Sequence, residues 1–285
     1  MTNEQLIEVW MQGRSEATKC NYVTYIARAE LFSQELHKKR LIDLGQMELS
    51  LVMTRLCRSL NLNSKGTRIA MMRSFFKFLL ISNVRHDDPS ITLRIPACPN
   101  TLAERIMTHE QVGQLLVVAK DNREKMMVKV LYGAGLRVSE MVGMRCKDIR
   151  SRKNEIEETV WTLTVLGKGG RTETVRITED LGAELAAWVK GRPLESFIFT
   201  YANGVGLYAI HTNVIRRALT RMGKAIGVPK ITPHWLRHTH ASEALRRGAN
   251  VVLVQRSLRH SSLATTMRYC HLNPDEAASL YLPSL

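Results

Sequence analysis

The sequence predicts a mainly α-helical protein with a small β-sheet, divided into two domains. Three observations carry this reading. Apolar residues recur at helical spacing along most of the chain, one stretch around residues 159–178 alternates instead, and a proline-containing stretch interrupts the periodicity. A chain of 285 residues is also too long for one small core and suits two domains. The expected boundaries are a helical domain over 1–90, a linker over 91–106 and a second domain over 107–285.

In the first domain, SEATKCNYVTYIARAELFSQELHKK sets Tyr22, Tyr25, Ile26, Ala29 and Phe32 at helical spacing behind Ser15, a residue type that caps helices. MELSLVMTRLCRSL is a second amphipathic stretch. NSKGTRIAMMRSFFKFLLIS is a third, with Ile69, Met72, Phe75, Phe76 and Leu79 on its apolar face and Lys65, Arg68, Arg73 and Lys77 opposite. Those four cations read either as a solvated face or as contacts to a phosphate backbone. DDPSITLRIPACPNTLAERIM then brings three prolines and no clear period, the marks of a linker. Helices resume at THEQVGQLLVVAK, where Thr108 and Gln111 form a capping box, and at REKMMVKVLYGAG, whose glycines stop the helix. CKDIR and TVWTLTVLGKGGRTETVRIT make the β region. In the second piece Val160, Leu163 and Val165 precede the turn GKGG, and Val175 and Ile177 follow it, as in a hairpin. From Glu179 the chain returns to helix through LGAELAAWVK, TNVIRRALTRMGKAIG, HWLRHTHASEALRRG, VVLVQRSL and SLATTMRYC.

Charge narrows the partner. Lys and Arg number 41 against 26 Asp and Glu, a formal net charge of +15. Residues 1–95 carry 14 basic and 9 acidic side chains and residues 96–285 carry 27 and 17, so both parts are positive. A field of that sign attracts polyanions, of which nucleic acid is the commonest. The five cysteines are scattered, odd in number and never spaced C-x-x-C, which argues for reduced thiols in the cytoplasm. No secretory signal or bilayer-spanning stretch is visible, so a cytoplasmic, nucleoid-associated protein is expected.

Six polar residues stand in apolar or glycine-rich settings: Arg137 after YGAGL, Lys168 at the hairpin turn, His234 and Arg237 one turn apart, His260 after SLR, and Tyr269. No carboxylate cluster is placed to hold catalytic metals and no Walker A loop occurs, so neither a metal nor a cofactor is expected. The set suits phosphoryl transfer. Two guanidiniums can clamp the non-bridging oxygens of a phosphodiester as charge builds there. Arginine stays protonated and so cannot give up a proton, whereas a lysine can supply one to the leaving alkoxide. A phenol, with a reference pKa of about 10, needs a base and cationic neighbours before it attacks near neutrality.

GAGLRVSE, GKGGRTETVRI, HWLRHTHAS, LRHSS and TTMRYCHL, in this order, resemble the motifs of the tyrosine site-specific recombinases, the phage-type integrases, with an Xer-like character. The resemblance is strongest from about residue 130 to 272. It implies a helical core-binding domain followed by an α+β catalytic domain. It also implies that Tyr269 attacks the scissile phosphate to form a 3′-phosphotyrosine, that Arg137 and Arg237 hold the phosphate, and that Lys168 protonates the leaving oxygen. His234 is then acid and base for the tyrosine, and His260 bonds a non-bridging oxygen. The implied partner is double-stranded DNA bearing a recombination site, worked on by four protomers through a Holliday junction.

Arg259 departs from the family pattern, which has glycine there. An arginine at this point offers a contact to DNA phosphate or a change in how His260 is presented. His240 is a smaller departure. Glu140, one turn from Arg137, either orients it or makes a structural ion pair. His234 and His238 share the i, i+4 spacing of metal ligands but lack a third, so His238 reads as a packing or supporting residue. Arg171 is an alternative to Lys168 as the functional base of the hairpin. Beyond Tyr269, Asn273 and Pro274 open a short helix whose stripe of Ala277, Leu280 and Tyr281 must pack on its own domain or on a neighbouring protomer. Two rival readings stay open: a DNA-binding regulator with an unused site, and a DNA-relaxing enzyme of the type IB topoisomerase kind.

Overall fold

The computed structural model describes residues 3–99, 101–167, 170–202 and 207–270. The chain forms two compact units that divide between Pro99 and Asn100. Lys168 at the hairpin turn and the tail helix expected after Tyr269 lie outside the described residues.

The first unit holds four helices: α1 (Asn3–Trp10), α2 (Glu16–His37), α3 (Gln46–Cys57) and α4 (Leu62–Ile81). Ser15 caps α2 by accepting from the amide of Thr18, and Asn61 caps α4 by accepting from that of Ser64. Ile26, Ala29, Met72, Phe75, Phe76 and Leu79 are buried together, as their spacing requires, while Tyr22, Tyr25, Phe32 and Ile69 pack at the margin. Guanidiniums cover those marginal rings: Arg14 lies 5.2 Å from the Tyr22 centroid, Arg68 4.7 Å from Tyr25 and Arg55 4.7 Å from Phe32. Part of the positive charge of this unit is thus spent on its own aromatic surface. Leu93, inside the expected linker, is buried in the same core.

The second unit begins with α5 (His109–Val117), α6 (Asn122–Gly133) and α7 (Val138–Gly143). Thr108 and Gln111 make the expected capping box on α5. A three-stranded antiparallel sheet follows in the order β1 (Ile149–Lys153), β2 (Thr159–Leu166), β3 (Thr172–Ile177). Leu163 pairs with Val175 and Trp161 with Ile177. Leu163, Val165, Val175 and Ile177 face the main core, whereas Val160 is buried on the opposite parity and lies outside that core. The chain continues through α8 (Glu179–Val189), β4 (Thr200–Ala202), β5 (Leu207–Ala209), α9 (Thr212–Ala225), α10 (Pro233–Arg246), α11 (Val251–Leu258) and α12 (Leu263–Cys270). The β4–β5 hairpin is a second sheet that sequence reasoning did not provide. Strands of three residues are too short to display an alternation.

Two glycines let elements close up around the site. A Cβ on Gly182 of α8 would lie 2.1 Å from the Trp161 ring. Gly135, at φ +58°, would set a Cβ 2.7 Å from His240 and 2.9 Å from Leu258, so the turn after α6 can lie directly on α10 and α11. His240 lies against the same turn, and its Nδ1–H donates to the carbonyl of Tyr132 at 2.7 Å. Beside this turn Ala241, Leu245, Val254, Leu258 and Tyr269 form a small core between α10, α11 and α12. Among the described residues no helix is long and apolar enough to cross a membrane.

Candidate active site

Arg137 leaves the Gly135 turn as the N-cap of α7. Its amide donates to Glu140 Oε2 and its Nη1 to Glu140 Oε1, each at 2.7 Å. A buried carboxylate thus fixes the backbone and the head group of Arg137 together, while 31% of that side chain stays exposed. Burial opposes the Glu140 charge, but the hydrogen bonds from Arg259 and Arg137 outweigh it and hold the carboxyl below its usual range.

Arg237, 3% exposed, enters from α10 beneath this pair. It donates through Nη1 to the carbonyl of Gly135 at 2.7 Å and through Nη2 to that of Leu258, tying the turn to the end of α11. Burial, then the charges of Arg137 and Arg259, pull its guanidinium down to about 9. It therefore remains charged at neutral pH, in a place where cations outnumber the nearby carboxylate.

Tyr269 is held in two ways. Its ring belongs to the small core and the residue is 4% exposed. Its hydroxyl lies 2.6 Å from Nδ1 of His238. Burial raises the phenol above its usual pKa, with Arg237 and Arg268 pulling it back. Burial first, then the neighbouring cations, lowers His238 to about 4. His238 is thus neutral at pH 7, and the tautomer with its proton on Nε2 leaves Nδ1 free to accept from the phenol. His260 stacks on the same ring at 6.5 Å, with 7° between planes, and its Nδ1 lies 2.8 Å from Thr266 Oγ1. It too is lowered to about 4, by burial and then Arg237, Arg137 and Arg259. His234 begins α10, exposed, with its ring 6.2 Å from that of His238. Desolvation by the protein around it, then Arg237, Arg137 and Arg216, lowers its pKa.

The structure therefore gathers five of the six expected residues, Arg137, His234, Arg237, His260 and Tyr269; Lys168 lies outside the described residues. Arg137 and His260 line an open cavity of about 1170 Å³ together with Gly167, Arg171 and Thr265. The hairpin thus opens onto the cavity on either side of its turn. Three side chains make contacts other than those expected. The hydrogen-bond partner of the Tyr269 hydroxyl is His238, where the sequence pointed to His234. The i, i+4 spacing of the two histidines was visible, but their facing onto a tyrosine 31 residues away was not. Arg259, expected to offer a DNA contact, has a side chain 2% exposed and ion-paired with Glu140 at 2.7 Å. Arg68, expected on a phosphate-binding face, donates to the carbonyl of Leu56 and stacks on Tyr25. Arg73 and Lys77 line an open groove of about 510 Å³ with Arg14, and Lys65 is half-buried.

A tyrosine hydroxyl held on a histidine beside two fixed arginines brings together the kinds of group that phosphoryl transfer to a side chain requires. The chain belongs to the phage integrase family, whose model matches residues 105–276. It is 31% identical to tyrosine recombinase XerD of Proteus mirabilis over 98% of this chain and 90% of that protein. It is 32% identical to tyrosine recombinase XerC of Vibrio atlanticus (strain LGP32) over 77% and 70%. The fold matches that of the XerH site-specific recombinase bound to palindromic difH substrate, with a TM-score of 0.73 and 19% identity over 98% of this chain and 85% of that one. It also matches a lambda integrase dimer bound to a core site, with a TM-score of 0.70 and 15% identity over 97% and 79%.

Proposed function

We propose that this chain is a site-specific DNA recombinase that breaks and rejoins DNA through Tyr269. The observation that carries the reading is the Tyr269 hydroxyl held on His238 in the cluster that contains Arg137 and Arg237. In the proposed reaction the Tyr269 oxygen bonds to phosphorus and the bond from phosphorus to the 5′-oxygen breaks, leaving a 3′-phosphotyrosine. His238 Nδ1 accepts the phenolic proton, and exposed His234, the next ring along α10, passes it to solvent. Lys168 protonates the departing 5′-oxygen. Arg137 and Arg237 carry the charge that builds on the non-bridging oxygens, and His260, its Nδ1 occupied by Thr266, turns Nε2 to one of them. The bond energy is kept in the covalent adduct, so a 5′-hydroxyl from a partner duplex reverses the step.

Two duplexes exchanging strands in this way need four protomers, and the tail after Cys270 is the segment proposed to link them. The working compartment is the one that holds DNA, with Arg73 and Lys77 on the first unit as backbone contacts. The test is a nicked suicide substrate from which the cleaved end diffuses away. The protein is expected to form a denaturant-stable adduct, and Tyr269→Phe to bind DNA without forming one. No adduct from the unaltered protein on its own site would favour a regulator. Adduct formation followed by relaxation of supercoils without strand exchange would favour a DNA-relaxing enzyme.

A further inference from the structure

Arg259 sits where its own presence is costly. It ends α11 at φ 56°, a left-handed conformation that glycine adopts freely and other residues adopt at a cost of about 1 kcal/mol. Its guanidinium is 2% exposed, and a buried charge needs a partner. Glycine would satisfy the turn with neither burden. Two of the Arg259 side-chain bonds and its carbonyl engage Arg137 or the carboxylate that holds it. Nη2 donates to Glu140 Oε2 at 2.7 Å and Nε reaches Oε1 at 3.4 Å, the carboxylate that holds Arg137. The Arg259 carbonyl accepts from Arg137 Nη2 at 3.3 Å. A further bond, from Nη1 to the carbonyl of Ser257 at 2.6 Å, locks the side chain against its own helix end.

Glu140 therefore faces Arg137 and Arg259 directly, with Arg237 at 3.9 Å. Three guanidiniums share one carboxylate. With glycine at 259 the Glu140 charge would be set against Arg137 and Arg237 alone, and would cancel part of the field they present to an anion. With Arg259 that charge is already matched from below. Arg137, the exposed member of the set, can then act on an incoming phosphate while keeping its anchorage on Glu140.

We propose that Arg259 is a positioning residue for the scissile phosphate: it neutralises Glu140 and braces Arg137 from beneath, so that Arg137 meets the phosphodiester with its full charge in a fixed orientation. This rests on the reading of Arg137 as a phosphate clamp. Arg259 borders the cavity, but its guanidinium is 2% exposed and committed to Glu140 and Ser257, so its action on the phosphate runs through Arg137.

The experiment measures single-turnover adduct formation at saturating DNA, beside half-site affinity. It uses the ordinary phosphodiester and a methylphosphonate, in which a methyl group replaces one non-bridging oxygen and the linkage is neutral. Arg259→Gly suits the left-handed turn and leaves Glu140 its bonds to Arg137, and thermal denaturation checks that the variant folds. It is expected to slow phosphodiester cleavage about tenfold or more, since misplacing one catalytic group costs at least that. Half-site affinity and methylphosphonate cleavage should each stay within about twofold, because neither draws on the extra charge at the scissile phosphate. In a Glu140→Gln background, Arg259→Gly should change the rate by less than about twofold, because the charge it neutralises is gone. Cleavage by Arg259→Gly at the rate of the unaltered protein overturns the proposal. So does an equal loss on both substrates, or an undiminished loss in the Glu140→Gln background. Arg137→Ala is the control: if it cleaves normally, the phosphate-clamp reading itself falls, and that result differs from a failure confined to Arg259.

Discussion

His238 ties the chemistry of Tyr269 to a proton that can be followed by pH. The ring Nδ1 lies 2.6 Å from the phenol oxygen, and the ring is lowered to about 4, as is His260. The unfolded chain takes up these protons near the ordinary histidine value of about 6.5. Above that pH both states carry neutral rings and the stability is intact. As pH falls from about 6.5 toward 4, the unfolded state binds protons that the folded state refuses, and stability is lost through that window. Both rings are only half-buried, so solvent screening keeps the effect below what the shifts alone would imply. Denaturant midpoints measured from pH 7 to pH 4 should fall, and the fall should be shallower in His238→Gln. The same variant keeps an acceptor for the phenol but cannot take its proton. Its adduct formation at pH 7 should slow by about a hundredfold, within the usual range for a lost general base. Cleavage at the unaltered rate would show that the proton leaves by another route.

At the scale of elements, the β2–β3 hairpin and α4 each make a separable claim. The hairpin opens on the cavity through Gly167 and Arg171, which flank Lys168 in sequence. If Lys168 is the proton donor, Lys168→Ala should recover cleavage on DNA with sulfur in place of the 5′-bridging oxygen, because a thiolate leaves without protonation. Arg137→Ala and Arg237→Ala should not recover, since their charge is still missing. Equal rescue of all three variants would remove Lys168 from its role. On α4 the four cations divide by what they touch. Arg68 is engaged with Leu56 and Tyr25, whereas Arg73 and Lys77 line an open groove.

For the molecule as a whole, the net charge of +15 makes salt the sensitive variable. Each phosphate neutralised releases bound counterions, so affinity should fall steeply with salt, by on the order of a thousandfold between 50 and 200 mM if six or more phosphates are contacted. Arg73→Ala and Lys77→Ala should each flatten the slope of log affinity against log salt by about one. Arg68→Ala should leave that slope nearly unchanged and lower the thermal stability of the first unit instead. Equal effects of the three on the slope would show that Arg68 leaves its intramolecular contacts to meet DNA.

The helices and the main sheet were legible because burial imposes a period on the residues that face a core. Met72, Phe75, Phe76 and Leu79 declare α4, and Leu163, Val165, Val175 and Ile177 declare the hairpin. Family membership was legible for a different reason: the five motifs keep their order along the chain whatever the fold does with them. The β4–β5 hairpin was hidden by its length, since three residues cannot show a period. What only the tertiary structure decided was pairing. A cation in the sequence is equally a DNA contact, a lid on an aromatic ring or a buried partner for a carboxylate. Arg73 is left on an open groove, Arg68 covers Tyr25 and Arg259 pairs with Glu140 because of neighbours brought in from elsewhere in the chain. Tyr269 meets His238 in the same way, when α12 folds against α10. Periodicity follows from local geometry and solvent, and so it is written in the order of residues; the partner of a charged or titratable side chain is set by which distant elements close upon it, and that is a property of the folded chain.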